Sequence, residues 1–362
     1  MLDGRANRLA KVVVHYCRKV KRGQVVAIGA PAAAESLALE VGREVLRAGA
    51  HPVYRLAPNA ASEVFFAEAG KDQLAFVPAS ALATVREADH YINIIGEINT
   101  QALASVDPAK QRIAEMARRK LQHLVLKKGQ WTLTLFPTAA YAQDAGMGIE
   151  EFETFVYSAM RVDRKDPVAE WKKDAVFQRR LIARLKGADQ VRIVAPGTDL
   201  RLSVKGRRFL GSCGEYNMPD GEVFTGPVET SAEGVIRYTY PVCHRGKEVV
   251  DVTLEFAGGK VVKATAAKGE AFLKSMIGMD AGACRLGELG IGTNYGIRRF
   301  VKNILFDEKI GGSVHLALGN SYEETGGRNR SALHWDMICD LRQGGRLEVD
   351  GQVLEEDGKF RC

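Results

Sequence analysis

Paired cysteines are missing from this sequence. Its six cysteines, Cys17, Cys213, Cys243, Cys284, Cys339 and Cys362, are scattered, and no two form a CxxC pair. That argues against a zinc ribbon or a disulfide framework and fits a reducing compartment. Long apolar runs are missing too: no stretch approaches the roughly 18 residues of a membrane span, and Met1-Leu2-Asp3-Gly4-Arg5 starts no apolar run of signal-peptide type. A cytoplasmic protein without membrane contact is the expectation. Phosphate-cradling glycine patterns are also lacking. Gly29-Ala30-Pro31, which follows the first apolar run, matches neither GxGxxG nor GxxxxGK(S/T), so no dinucleotide cofactor is expected. Basic residues are plentiful, with a net charge of +7 and a pI near 9.0. Their clusters, such as Arg18-Lys19-Val20-Lys21-Arg22 and Arg118-Arg119-Lys120, do not interleave with aromatics as a base-stacking platform would. They read as solvated helix faces, and no nucleic-acid partner is expected.

What is present is an ordinary globular composition, 46% hydrophobic and 26% charged over 362 residues, enough for two domains. Residues 4–20 suit an amphipathic helix. Gln24–Gly29, His51–Leu56, Tyr91–Ile95 and Trp131–Leu135 read as short strands, with helices over Ala32–Leu46 and Ile113–Leu126 between them. Strands alternating with helices predict an α/β domain with a mostly parallel sheet over residues 1–165. After a helix over Ala169–Leu185 the texture changes to short alternating runs separated by Gly, Asp or Lys, among them Gln190–Val194, Asp199–Val204 and Val249–Phe256. They predict a second, α+β domain over residues 166–362 with a largely antiparallel sheet, in which Asp350-Gly351 is a strong hairpin signal.

The second domain also gathers the metal-ligand chemistry. Glu222 follows a Pro-Asp-Gly turn, and Glu288 lies between Gly287 and Gly290 in what reads as an apolar loop. Glu308 is followed by Lys309, its natural surface partner. His315 sits in an apolar strand, and His334-Trp335-Asp336 places an imidazole and a carboxylate two apart, on one face of an extended segment. Any one of these has a bland reading. Together, three glutamates, one aspartate and two histidines are the hard and borderline donors that two divalent cations, about 3.5–4 Å apart, require.

At this point Asn217-x-Pro219-x-Gly221-Glu222-Val223-Phe224, Gly287-Glu288-Leu289-Gly290-Ile291-Gly292-x-Asn294, Ile304–Ile310, His315–Gly319 with Tyr322, and His334-Trp335-Asp336 resemble the M29 metallopeptidases, the thermophilic aminopeptidase or aminopeptidase T family. The resemblance implies a two-metal exopeptidase, zinc- or cobalt-activated, acting as a homodimer on peptides with a free N-terminus; mixed carboxylate and imidazole ligands suit zinc, cobalt or manganese. By it, Glu222, Glu288, Glu308, His315, His334 and Asp336 hold the metals, while Glu288 and Tyr322 stand closest to catalysis. The main rival keeps the fold: His315, His334 and Asp336 alone would make a facial triad for Fe(II) and a ring-cleaving dioxygenase. Such enzymes use a further upstream histidine, and the corresponding stretch here, Ala281-Gly282-Ala283, has none. A third reading, a binding protein that kept the fold without catalysis, predicts no metal.

Overall fold

The computed structural model describes residues 4–244 and 246–361. Internal contacts divide the chain into two compact units, Met1–Ala169 with Gly214–Pro219, and Glu170–Cys213 with Asp220–Cys362. We take these units as the domains. This adds to the 1–165 and 166–362 division a return segment, Gly214–Pro219, that nothing in the sequence announces.

The first unit is built on β1 (Val25–Pro31), β2 (His51–Ala57), β3 (His90–Ile95) and β4 (Trp131–Leu135). They lie in the order β2-β1-β3-β4, every pair parallel. Parallel neighbours need crossover connections, and helices supply them, Glu35–Arg47 after β1 and Pro108–Lys128 after β3. The second of these outruns its expected span, Ile113–Leu126, because its ends are capped. The Asp107 side chain accepts from the Ala109 N–H at 2.8 Å, proline opens the first turn, and Gly129 closes the last at φ 63°. The connection from β2 to β3, for which the sequence suggests no elements, forms three short helices, Ala61–Glu68, Lys71–Ala75 and Ala79–Glu87. The return segment contributes a two-residue strand, Asn217–Met218, parallel to β4 at the sheet's edge.

The second unit holds a two-stranded antiparallel sheet, Val242–His244 with Lys247–Val249, and two larger antiparallel ones. One has eight strands, in spatial order Lys260–Thr265, Thr253–Ala257, Glu233–Arg237, Thr198–Ser203, Gln190–Ala195, Arg346–Val349, Gln352–Glu356 and Lys359–Phe360. Its Asp350-Gly351 hairpin is present, with both residues at positive φ (49° and 79°), as a two-residue type I′ turn demands. The other has five strands: β5 (Leu210–Ser212), β6 (Glu222–Thr225), β7 (Leu286–Gly292), β8 (Ser313–Gly319) and β9 (His334–Asp340), in the order β9-β8-β7-β6-β5. Leu289, Ile291, Val314, Leu316, Leu318 and Met337 of this sheet join Ile193, Leu200, Leu254 and Phe256 of the larger one in a single buried cluster.

Two expectations change here. Gly287–Ile291, read as a loop because of its glycines, lies within the central strand β7, all seven residues of which are buried. Glu222, read as a turn residue, is the first residue of β6. In both places glycine marks close approach by a neighbour and not a break in the strand.

Candidate metal centre

Side chains alternate between the two faces of a strand. Because Val314 and Leu316 enter the core, His315 between them points to the other face of the five-stranded sheet. The same alternation places Glu222, Glu288, His334 and Asp336 there, beside core-facing Val223, Leu289, Trp335 and Met337. The ladder then makes room for them. Glu222 is opposite Gly292, His315 opposite Gly290, His334 opposite Gly319, and Ala317 is flanked by Glu288 on one side and Asp336 on the other. A Cβ at Gly290 would stand 2.0 Å from the His315 ring, and one at Gly292 would stand 2.0 Å from the Ile310 carbonyl oxygen. Gly290 thus makes room for the His315 ring on the neighbouring strand, and Gly292 for the backbone of Lys309 and Ile310.

The convergence is tight. Glu288 lies between the two imidazoles, with Oε1 3.7 Å from His315 Nε2 and Oε2 3.3 Å from His334 Nε2. Glu222 Oε2 is 3.4 Å from His315 Nε2, and Asp336 Oδ2 is 3.5 Å from His334 Nε2. Three groups have donor atoms all within 4.8 Å of one another: Glu222, Glu288 and His315; Glu288, His334 and Asp336; Glu308, His315 and Asp336. All six sequence candidates are therefore brought together, and Glu288 belongs to two of the groups. Among the described residues, no such group joins His315, His334 and Asp336.

Both imidazoles are oriented from behind. His315 Nδ1 lies 3.0 Å from the Glu308 carbonyl and His334 Nδ1 lies 2.9 Å from the Asn320 carbonyl. Each Nδ1–H donates to its carbonyl, which leaves Nε2 aimed into the cluster, the usual arrangement behind a metal-bound histidine.

The electrostatics call for cations. Burial works against charge on His315, but Glu288 and Glu222 outweigh it and push the imidazole up to about 9. At His334 burial is likewise overcome, by Asp336 and Glu288, which push it up to about 10. Burial would raise Glu288, yet the two imidazoles hold it well below the usual carboxylate range. Burial pushes both Glu222 and Asp336 above that range. Glu222 Oε2 and Asp336 Oδ1 are buried without a hydrogen bond among the described residues. Orphaned carboxylate oxygens beside imidazoles are costly unless a cation or ordered water meets them. The donor set of four carboxylates and two Nε2 atoms fits divalent ions of the zinc, cobalt or manganese kind.

Tyr322 stands at the mouth. It is 45% exposed, and its ring packs edge-on against His334 (centroids 5.3 Å apart) and Phe224 (5.6 Å). One participant escapes the sequence reading. Lys309 is not a surface partner of Glu308: it is fully buried, 0% exposed, with Nζ bonded to Glu308 and 3.0 Å from Glu222 Oε1. The available signal was its setting in Ile304–Ile310, a lysine amid apolar residues next to two acids.

The model of the thermophilic metalloprotease (M29) family matches residues 2–360. Aminopeptidase 2 of Geobacillus stearothermophilus is 26% identical over 397 residues, spanning 98% of this chain and 94% of that protein. Among solved structures, wild-type AmpT from Thermus thermophilus superimposes with a TM-score of 0.86 over 100% of both chains at 23% identity. A 2,5-dihydroxypyridine dioxygenase from Pseudomonas putida KT2440 superimposes with a TM-score of 0.57 over 99% of this chain and 97% of that one at 15% identity. That last likeness shows the fold alone.

Proposed function

The chain belongs to the thermophilic metalloprotease (M29) family, and on that premise we propose that it is an aminopeptidase working through two divalent cations. Glu222, Glu288, Glu308, His315, His334 and Asp336 are the residues that would hold them. The observation that carries this reading is Glu288, whose two oxygens each face a different imidazole, so that one carboxylate serves two donor groups. When bound, the cations polarise a peptide carbonyl and lower the pKa of an attacking water towards neutrality.

The chain's own residues supply the rest. Glu288 accepts the proton of the attacking water and returns it to the leaving amine, as a positioned carboxylate can. Tyr322, half-exposed beside His334, donates its phenol hydrogen to the oxyanion of the tetrahedral intermediate. A substrate's free α-amine would be held at the same centre. Next to His334 and Asp336 lies a cavity of about 140 Å³ whose walls include Val242, Phe300, Ile304, Trp335 and Ile338. It takes the apolar part of the N-terminal side chain. The same proposal includes peptides with a free N-terminus as substrates, zinc, cobalt or manganese as the ions, a homodimer and a cytoplasmic location. No helix of the described residues is long and apolar enough to cross a membrane.

Two observations speak against the Fe(II) dioxygenase reading: its triad is not one of the converging groups, and the carboxylates it does not need are all present. The deciding experiment strips the protein with a chelator, then titrates back zinc, cobalt or manganese and counts ions per chain. Two ions per chain and recovered hydrolysis of leucyl or arginyl p-nitroanilides are expected. Because His315 and His334 are protonated below about 9 and about 10, each must lose its proton to ligate. Metal uptake at pH 7 should therefore release protons, and affinity should rise with pH. Full turnover in the stripped protein, or one ion per chain with oxygen consumption, would sink the proposal.

A further inference from the structure

Lys309 is the least expected group in the centre. Its ammonium is fully buried among carboxylates, with Nζ contacting Glu308 and lying 3.0 Å from Glu222 Oε1, and the Asp220 carboxylate also favours its charged form. Asp220 is itself fully buried, its oxygens taken by Ser212 Oγ at 2.8 Å and the Gly221 N–H at 2.9 Å. The lysine's backbone is tied at both ends: its N–H donates to the Phe306 carbonyl and its carbonyl accepts from the Asn294 N–H, each at 3.0 Å. An ammonium so placed cannot swing into water without taking Ile304–Ile310 apart, and a buried charge is retained only where it is paired.

Glu222 shows what the pairing does. Oε1 is taken by Lys309, while Oε2, buried and without a hydrogen bond among the described residues, is turned to His315. Glu222 thus has one oxygen occupied by the lysine and one left for the centre. With Asp220 counted, five carboxylates carry five negative charges, which two divalent cations and the lysine would together cancel.

We propose that Lys309 is a resident cation of the metal centre, a positioning residue that holds Glu222 and Glu308 as one-oxygen ligands and stays in place when metal binds. The inference rests on the two-metal reading above. Its rival is that the lysine is a placeholder, occupying a cation position that metal takes over.

Two measurements separate these outcomes, and neither depends on turnover. In wild-type protein labelled with 15N-lysine, one ammonium resonance protected from solvent exchange should be present without metal and persist after zinc is added. Its loss on zinc addition would overturn the proposal. In Lys309→Met, with folding checked by thermal melting, calorimetric titration should show zinc affinity lowered about 10–100-fold, as for other groups that orient metal ligands. Lys309→Arg, which keeps the charge, should recover part of the loss. Unchanged or tighter zinc binding by folded Lys309→Met would overturn the proposal while leaving the metalloenzyme reading intact. Absence of zinc binding by the wild type would overturn both. Should neither variant fold, the ammonium resonance decides alone.

Discussion

Glu355 and Glu288 are buried on strands of the two larger antiparallel sheets of the second unit, and they meet opposite fates. Glu355, on the outer part of the eight-stranded sheet, is fully buried, and neither of its oxygens has a hydrogen-bond partner among the described residues. Burial, with a smaller contribution from Asp340, pushes it up to about 8. Glu288, on the central strand of the five-stranded sheet, is nearly as buried but lies between His315 and His334, which hold it far below the ordinary carboxylate value. Burial by itself raises a carboxylate, as it does Glu355, and still does so at Glu222 and Asp336; at Glu288 the two flanking imidazoles outweigh it. A buried acid is therefore no sign of function, whereas a buried acid shared by two imidazoles is.

Four substitutions test this contrast. The largest effect belongs to Glu288→Gln, which keeps the shape and removes the base. Turnover should fall by about 10³-fold, the scale of general acid–base catalysis, while the thermal transition moves little. Retention of both metals together with full turnover would end the general-base role. Leu316→Ala probes the opposite face of the same sheet, one residue from His315. It should lower stability by about 2–5 kcal/mol in denaturant melts and leave kcat/KM below the transition almost unchanged. Equal damage to both quantities would mean that the two faces are not independent.

Tyr322→Phe should lower kcat by about 10²-fold with metal content unchanged, as for loss of one oxyanion donor; an unaltered kcat would remove Tyr322 from the mechanism. The smallest effect is expected at Glu355→Met, which removes an orphaned carboxylate and should stabilise by about 1–3 kcal/mol. Its size depends on pH in a defined way. A carboxyl raised from its ordinary 4.5 to about 8 contributes stability that is intact below 4.5 and lost as pH rises through about 8. The variant's advantage should therefore be greater at pH 9 than at pH 4, and melting temperatures across that range would expose a reversed trend.

Local patterns carried much of the fold. Alternating strands and helices marked the parallel sheet of the first unit, short alternating runs marked the antiparallel second unit, and Asp350-Gly351 marked its hairpin. The helix expected over Ala169–Leu185 is present as Pro167–Leu185. The three short helices before β3 escaped because they bury few side chains and so show little periodicity. β7 was read as a loop because glycine in a strand looks like punctuation until the neighbour that requires it is known.

The sequence by itself determined which donors the chain carries and, through alternation with period two, that His334 and Asp336 share one face of an extended segment. It could not determine distance. Glu222 and Glu288 are 66 positions apart in sequence yet share a face because β6 pairs with β7, and that register is fixed by two whole strands at once. Nor could it decide the state of Lys309. Beside Glu308 in the sequence, a lysine is a solvated cation; only the packed strand and turn around it remove the water and leave two carboxylates as its solvent. Charge and periodicity are local properties, whereas desolvation and convergence arise only once distant segments are packed together.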